Sequence, residues 1–131
     1  MTILTVVLGL MAHGCGLGGA VGITANFAAE SNLNPSAVGP SGIGLAQLAG
    51  IRRQRMLATL GPRWKDEPTQ LAYLVGEMRE LRVWDKACRL AAAEAAQVIM
   101  LEYELPRARD PRYRRARAVA IYEEVRWLSR R

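Results

Sequence analysis

The first 29 residues of the chain carry no charged side chain. An uncharged stretch of that length is buried, either in a protein core or in a bilayer. A bilayer suits it poorly. Residues 3–12 fall short of the ~20 apolar residues that a spanning helix needs. Residues 14–22 hold five glycines, each of which weakens a helix by about 1 kcal/mol relative to alanine. Met1, Thr2 and Ile3 also lack the basic flank of a secretory signal. The segment reads as two core helices, residues 2–13, stopped by Gly14 and Gly16, and residues 17–31. A weak, releasable membrane anchor is the lesser alternative. Glu30, the first charge in the chain, falls at the C-terminus of the second helix.

The rest of the chain stays helical in pattern. Residues 31–50 are dense in Asn, Pro, Ser and Gly, which marks a structured loop, and its length inside a compact domain points to function. Residues 51–60 continue as helix. Asp66 caps the next helix, with Pro68 in its first turn, and Leu71, Leu74, Val75, Met78 and Leu81 recur along one face. Residues 84–90 and 92–104 form two further helices, ended by Pro106. The last helix has Asp110 as its cap and Pro111 at its first position, and Ala118, Ile121, Tyr122, Val125 and Leu128 make its apolar face. No stretch alternates as a strand does, and no repeat or linker divides the 131 residues. The expectation is one all-α domain, residues 1–131, of six or seven helices with a functional loop after the second.

The formal net charge of +6 resides entirely in residues 107–131, where nine arginines face Asp110, Glu123 and Glu124. Arg112, Arg115 and Arg126 fall away from the apolar face on a 3.6-residue repeat, and Arg112, Arg114 and Arg117 are expected as exposed charges of a basic amphipathic helix. Such a helix is attracted to anionic partners, whether nucleic acid, teichoic acid, lipopolysaccharide or a membrane surface. The alternative is a helix that completes the core with its arginines as a solvated face. No base-reading motif accompanies Tyr113, Tyr122 and Trp127, so nucleic acid is not an expected partner. Two cysteines are too few for a disulfide framework, and Cys15 and Cys88 read as buried small hydrophobes rather than as a bridge. With His13 the only histidine, the usual zinc ligands are too few. No metal or cofactor is expected.

Glu30 is the one ionisable side chain in the run from Ala25 to Gln47, ANFAAESNLNPSAVGPSGIGLAQ. Burial at the end of an apolar helix and the negative end of the helix dipole both favour a protonated carboxyl. A proton donor is what a departing glycosidic oxygen needs. From position alone, a solvated helix-end glutamate accounts for Glu30 equally well.

A resemblance adds to this reading. Glu30-Ser31-Asn32-Leu33-Asn34-Pro35, followed by Ser41-Gly42-Ile43-Gly44-Leu45-Ala46-Gln47, resembles the E-S-x-x-N-P and S-x-x-G-L-x-Q motifs of the lysozyme-like superfamily of goose-type lysozymes and lytic transglycosylases. The phage tail lysozyme family is the most similar branch. Gly22-Ile23, Asn26, Arg52, Arg53, Gln70, Glu77, Tyr103-Glu104, Pro106 and Arg115 are similar to the family pattern as well. Leu48 departs from it, because the family often has a tryptophan after the motif glutamine. The resemblance implies that Glu30 protonates the β-1,4 bond between N-acetylmuramic acid and N-acetylglucosamine in bacterial peptidoglycan. It implies that Ser41, Gln47 and the backbone near Gly44 line the sugar groove. Tyr103 is a candidate groove wall, with a buried tyrosine as the equal alternative.

Hydrolysis and lytic transglycosylation both stay open. A hydrolase needs a second carboxylate about 5 to 9.5 Å away, yet no Asp or Glu lies between Ser31 and Lys65. Asp66, Glu67 and Glu104 are the residues that folding would have to bring near. A transglycosylase avoids the need, because the 6-hydroxyl of the muramic acid attacks. The rival from another class is a non-catalytic phage tail or wall-binding module. The expected setting is a monomeric endolysin passing from host cytoplasm to cell wall, or a component of the virion tail. Ends at Met1 and at Arg130-Arg131 favour the free lysin.

Overall fold

The computed structural model describes residues 2–40 and 42–130. Among them are seven α-helices: α1 (Ile3–Ala12), α2 (Leu17–Ser31), α3 (Gly50–Leu60), α4 (Glu67–Glu80), α5 (Trp84–Cys88), α6 (Ala92–Ile99) and α7 (Arg112–Val125). A two-residue hairpin, β1 (Val38–Gly39) and β2 (Gly42–Ile43), pairs antiparallel in the loop after α2. The fold is all-α, as the helical periodicities imply.

The uncharged N-terminal segment is core. In α1, capped by Thr2, the side chains of Val6, Val7 and Leu10 are fully buried. Helix α2 is the central element, buried from Gly19 to Phe27 and packed against α1, α5, α6 and α7. Its glycines are the reason for that centrality. A Cβ on Gly22 would stand 2.5 Å from the Ala95 Cβ, and one on Gly19 would stand 2.5 Å from the Cys88 Cα. The glycines thus let α5 and α6 approach the backbone of α2, and packing outweighs their poor helix propensity. No helix is long and apolar enough to cross a membrane among the described residues.

Two expectations need correction here. Cys15 and Cys88 form a disulfide that ties the start of α2 to the end of α5 across a separation of 73 residues. The bridge is possible because Gly16 and Gly19 bring the two backbones together; Gly16 N–H donates to the Cys88 carbonyl at 3.2 Å. The second correction concerns residues 92–104, which are not one regular helix. The α6 ladder widens to a π turn over Met100–Glu104, closed by Leu105 in the left-handed region at φ 52°. The extra residue re-aims the side chains that follow, and such turns recur at functional sites.

Helix α4 begins as expected. Asp66 accepts hydrogen bonds from the Thr69 amide and hydroxyl, with Pro68 in the first turn. On α7, Ala118, Ile121, Val125 and the following Leu128 are buried and Tyr122 is half-buried.

Candidate active site

Glu30 sits in the last turn of α2 and lines a cleft of about 690 Å³. The other walls are Pro40, Gln47 and Ala49 from the loop, Arg52 from α3, and Glu104 to Arg107 from the π turn and the irregular segment after it. The helix ends at Asn32, whose left-handed φ of 54° turns the chain into the loop.

The loop holds itself in place. Gln70 of α4 accepts from the Leu45 amide at 2.7 Å and donates to the carbonyls of Pro35 and Trp64. A Cβ on Gly44 would meet that Gln70 amide at 2.7 Å, and Gly44 itself has φ +76°, so only glycine fits. Gly44 is therefore a loop-building residue. It is buried, its N–H donates to Ala37, and its carbonyl accepts from both the backbone and the side chain of Gln47. It does not line the cleft, contrary to the groove role expected for it, because its backbone groups are already paired. Gln47 does line the cleft. Its Nε2 donates to Gly44 O at 2.9 Å, while Oε1 takes no hydrogen bond among the described residues and is left as an acceptor. Ser41, the other expected groove residue, lies outside the described residues. Leu48 is buried, and no aromatic ring lines the cleft among the described residues.

Tyr103 is not a groove wall. It is fully buried, with its hydroxyl donating to Glu77 Oε1 at 2.7 Å, and burial pushes that hydroxyl well above its ordinary range. Arg52 forks onto both oxygens of Glu77, donates to the Tyr103 carbonyl at 2.8 Å, and stacks over the Tyr103 ring at 4.6 Å. This Arg52–Glu77–Tyr103 cluster clamps the π turn to α3 and α4, and so fixes the next residue, Glu104, at the cleft.

Glu30 itself is not isolated. Arg114 of α7 donates to Glu30 Oε1 at 2.7 Å and, through its other terminal nitrogen, to Asn26 Oδ1 at 2.6 Å. The buried Asn26 is held in turn by donating to the carbonyls of Gly22 and Ala96. Expected on the solvent side, Arg114 instead has a side chain only 11% exposed. Only Oε1 of Glu30 is engaged among the described residues, and Oε2 is left without a hydrogen bond.

Of the three acids that folding had to bring near, Glu104 alone reaches the cleft. Asp66 is spent as the cap of α4, and Glu67 is not among the lining residues. Burial first, and then the nearby Glu30 charge, push the Glu104 carboxyl well above the ordinary carboxylate range, against the pull of Arg114 and Arg52. Glu104 is thus the cleft carboxyl whose surroundings disfavour its charged form.

A family model described as phage tail lysozyme matches residues 2–125. The chain belongs to the phage tail lysozyme family. The match spans every element that builds the cleft, from Glu30 on α2 to Arg114 on α7. Membership carries a lysozyme-like, peptidoglycan-degrading fold of phage association. No curated protein and no solved structure matches the chain.

Proposed function

We propose that the protein cleaves the β-1,4 bond between N-acetylmuramic acid and N-acetylglucosamine in peptidoglycan, with Glu30 as the general acid. The observation that carries this reading is the placement of Glu30 in the cleft of a phage tail lysozyme fold, one oxygen held by Arg114 and the other without a hydrogen-bond partner among the described residues. Proton donation to the leaving oxygen lowers the barrier that an expelled alkoxide would impose. Gln47 Oε1 presents an acceptor to a sugar hydroxyl or an N-acetyl N–H. Gly44 and Tyr103 act from behind, the one shaping the loop and the other fixing the π turn.

The carboxyls also favour one mode of cleavage. Glu77 is committed to Arg52 and Tyr103, Asp66 to Thr69, and the surroundings of Glu104 favour its neutral form. Among the described residues this leaves Glu104 as the other carboxyl lining the cleft with Glu30, and its surroundings disfavour the anion that would activate water. Attack by the muramyl 6-hydroxyl needs no such anion, with Glu30 first giving and later accepting a proton, so lytic transglycosylation is the mode proposed. Mass spectrometry of products from purified peptidoglycan tests this. Anhydromuramic ends are expected; reducing ends would assign hydrolysis instead, and binding without release would mark a non-catalytic wall-binding module.

The exposed arginines of α7 and its extension suit attraction to an anionic envelope surface. Half-buried Arg117 and exposed Arg130 have no acidic partner among the described residues, and Trp127 is 49% exposed. We place the protein, working as a monomer, at the bacterial wall, whether it arrives as a free endolysin or on a virion tail.

A further inference from the structure

Glu104 stands out because its environment fits no structural role. Its side chain makes no hydrogen bond among the described residues, and its Oε1 is shielded from solvent without a partner. Burying a carboxyl oxygen unsatisfied is costly, and native folds rarely keep one without a reason. The residue nonetheless sits at the end of a π turn anchored by the Arg52–Glu77–Tyr103 cluster, and it lines the same cleft as Glu30. Rigid backbone support for a carboxyl that has no bond of its own is the pattern of a group reserved for chemistry.

Around this carboxyl stand Glu30 from α2, Arg114 from α7, Arg52 from α3 and Glu77 from α4, with Arg107 on the cleft rim. Glu77 and Arg52 neutralise each other in a two-pronged pair. That leaves Arg114, bonded to Glu30 at 2.7 Å, as the cation whose charge acts on both Glu30 and Glu104. One negative charge on the two carboxyls balances it; two would leave an excess inside a sheltered cleft, where repulsion is weakly screened.

We propose that Glu104 is a second catalytic carboxyl, and that Glu30 and Glu104 hold one proton between them, which is delivered through Glu30. The inference rests on Glu30 acting as the acid. In the first step the C1–O bond of the muramyl residue breaks, its electron pair stays on the leaving oxygen, and that oxygen takes the proton from Glu30. Glu104 supplies this proton when the resting pair carries it there. In the second step the incoming hydroxyl, the muramyl 6-hydroxyl or a water, forms the new C1–O bond and gives up its proton to the pair. The pair ends with one proton, as it began.

The test is the pH dependence of kcat/KM on soluble glycan strands for the wild type, Glu104→Gln and Glu30→Gln. Glutamine keeps the size and neutrality of a protonated Glu104 but neither gives nor receives a proton. If the carboxyls share one proton, the alkaline limb of the profile moves to lower pH in Glu104→Gln. Activity above the limb then drops about tenfold for each unit of movement and returns on acidification. A superimposable profile would overturn the proposal and leave Glu104 as structure. Glu30→Gln reads separately, since loss of activity at every pH supports the acid assignment and retained activity defeats that assignment instead. A measurement on folded protein guards against a Glu104→Gln variant that fails to fold. Carboxyl 13C titration should show the Glu104 midpoint falling when Glu30 becomes glutamine. An unmoved midpoint would show that the two are not coupled and would overturn the proposal.

Discussion

Glu104 carries a consequence for stability that is independent of turnover. A glutamate with an ordinary value of 4.5 is raised well above it in the folded protein, by burial and then by Glu30. Between those two values the fold retains a proton that the unfolded chain has released. The associated stability is complete below about pH 4.5 and is lost as pH rises through the folded value, by up to about 1.4 kcal/mol per unit. Glu104→Gln abolishes that slope. Thermal melts should show wild-type stability declining more steeply with pH than the variant's, and parallel curves would argue that Glu104 ionises freely. Glu104 was visible in the sequence only as a distant acid, because nothing local ties it to Glu30. Arg114 was more legible than the charge pattern suggested. It lies four residues before Ala118 and seven before Ile121, on the stripe that α7 buries, so its burial was written in the periodicity. Tyr103 was equally legible, four residues after Ile99 on the buried face of α6. Arg114 departs from expectation because an arginine suggests solvent, whereas for Tyr103 the buried alternative, with its hydroxyl bonded to Glu77, is the one the structure shows.

Among the elements, α2 was read to its boundaries, since the start after Gly16 and the stop before the Asn-rich loop are local signals. The π turn was not read, because a widened hydrogen-bond ladder follows from tertiary demands, here the bonds of Tyr103 to Glu77 and Arg52. The two-residue hairpin was likewise below the reach of alternation, being too short to show a period. Helix α7 divides its charges in a way that composition concealed. Arg114 and Arg115 turn inward to Glu30, Asn26 and Gln97. Arg112 pairs with Asp110 beside the helix start, Arg126 with Glu123. Surface attraction therefore falls to residues such as Arg117 and Arg130. Changing these two to glutamate should leave cleavage of purified glycan unchanged at matched ionic strength. Binding to anionic vesicles or intact cells should fall several-fold at low salt, where screening is weakest. Equal binding by variant and parent at low salt would limit the helix to its structural part.

The molecule as a whole is organised around α2, which meets α1, α5, α6 and α7 and ends in the cleft. The Cys15–Cys88 disulfide closes a long loop around this centre. In the chain-entropy account, closure across 73 residues stabilises the fold by about 4 kcal/mol, chiefly by restricting the unfolded chain. Replacing both cysteines with alanine should lower the melting temperature substantially while leaving glycan cleavage at low temperature, since neither cysteine lines the cleft. An unchanged melting temperature would show that α5 and α6 hold α2 without the bridge. Two cysteines in a long chain gave no hint of this pairing; the glycines that bring the backbones together were the signal, and they had been read only as helix breakers.

The central claim is that Glu30 is the acid in this cleft, and Glu30→Gln tests it most directly. The glutamine can still accept the Arg114 hydrogen bond, so the variant should fold, and its circular dichroism and melting behaviour confirm the comparison. Release of muropeptides from purified peptidoglycan should fall by at least about a hundredfold at every pH, the scale on which a lost general acid is felt. A folded variant that kept more than about a tenth of the wild-type rate, well above that scale, would contradict the assignment.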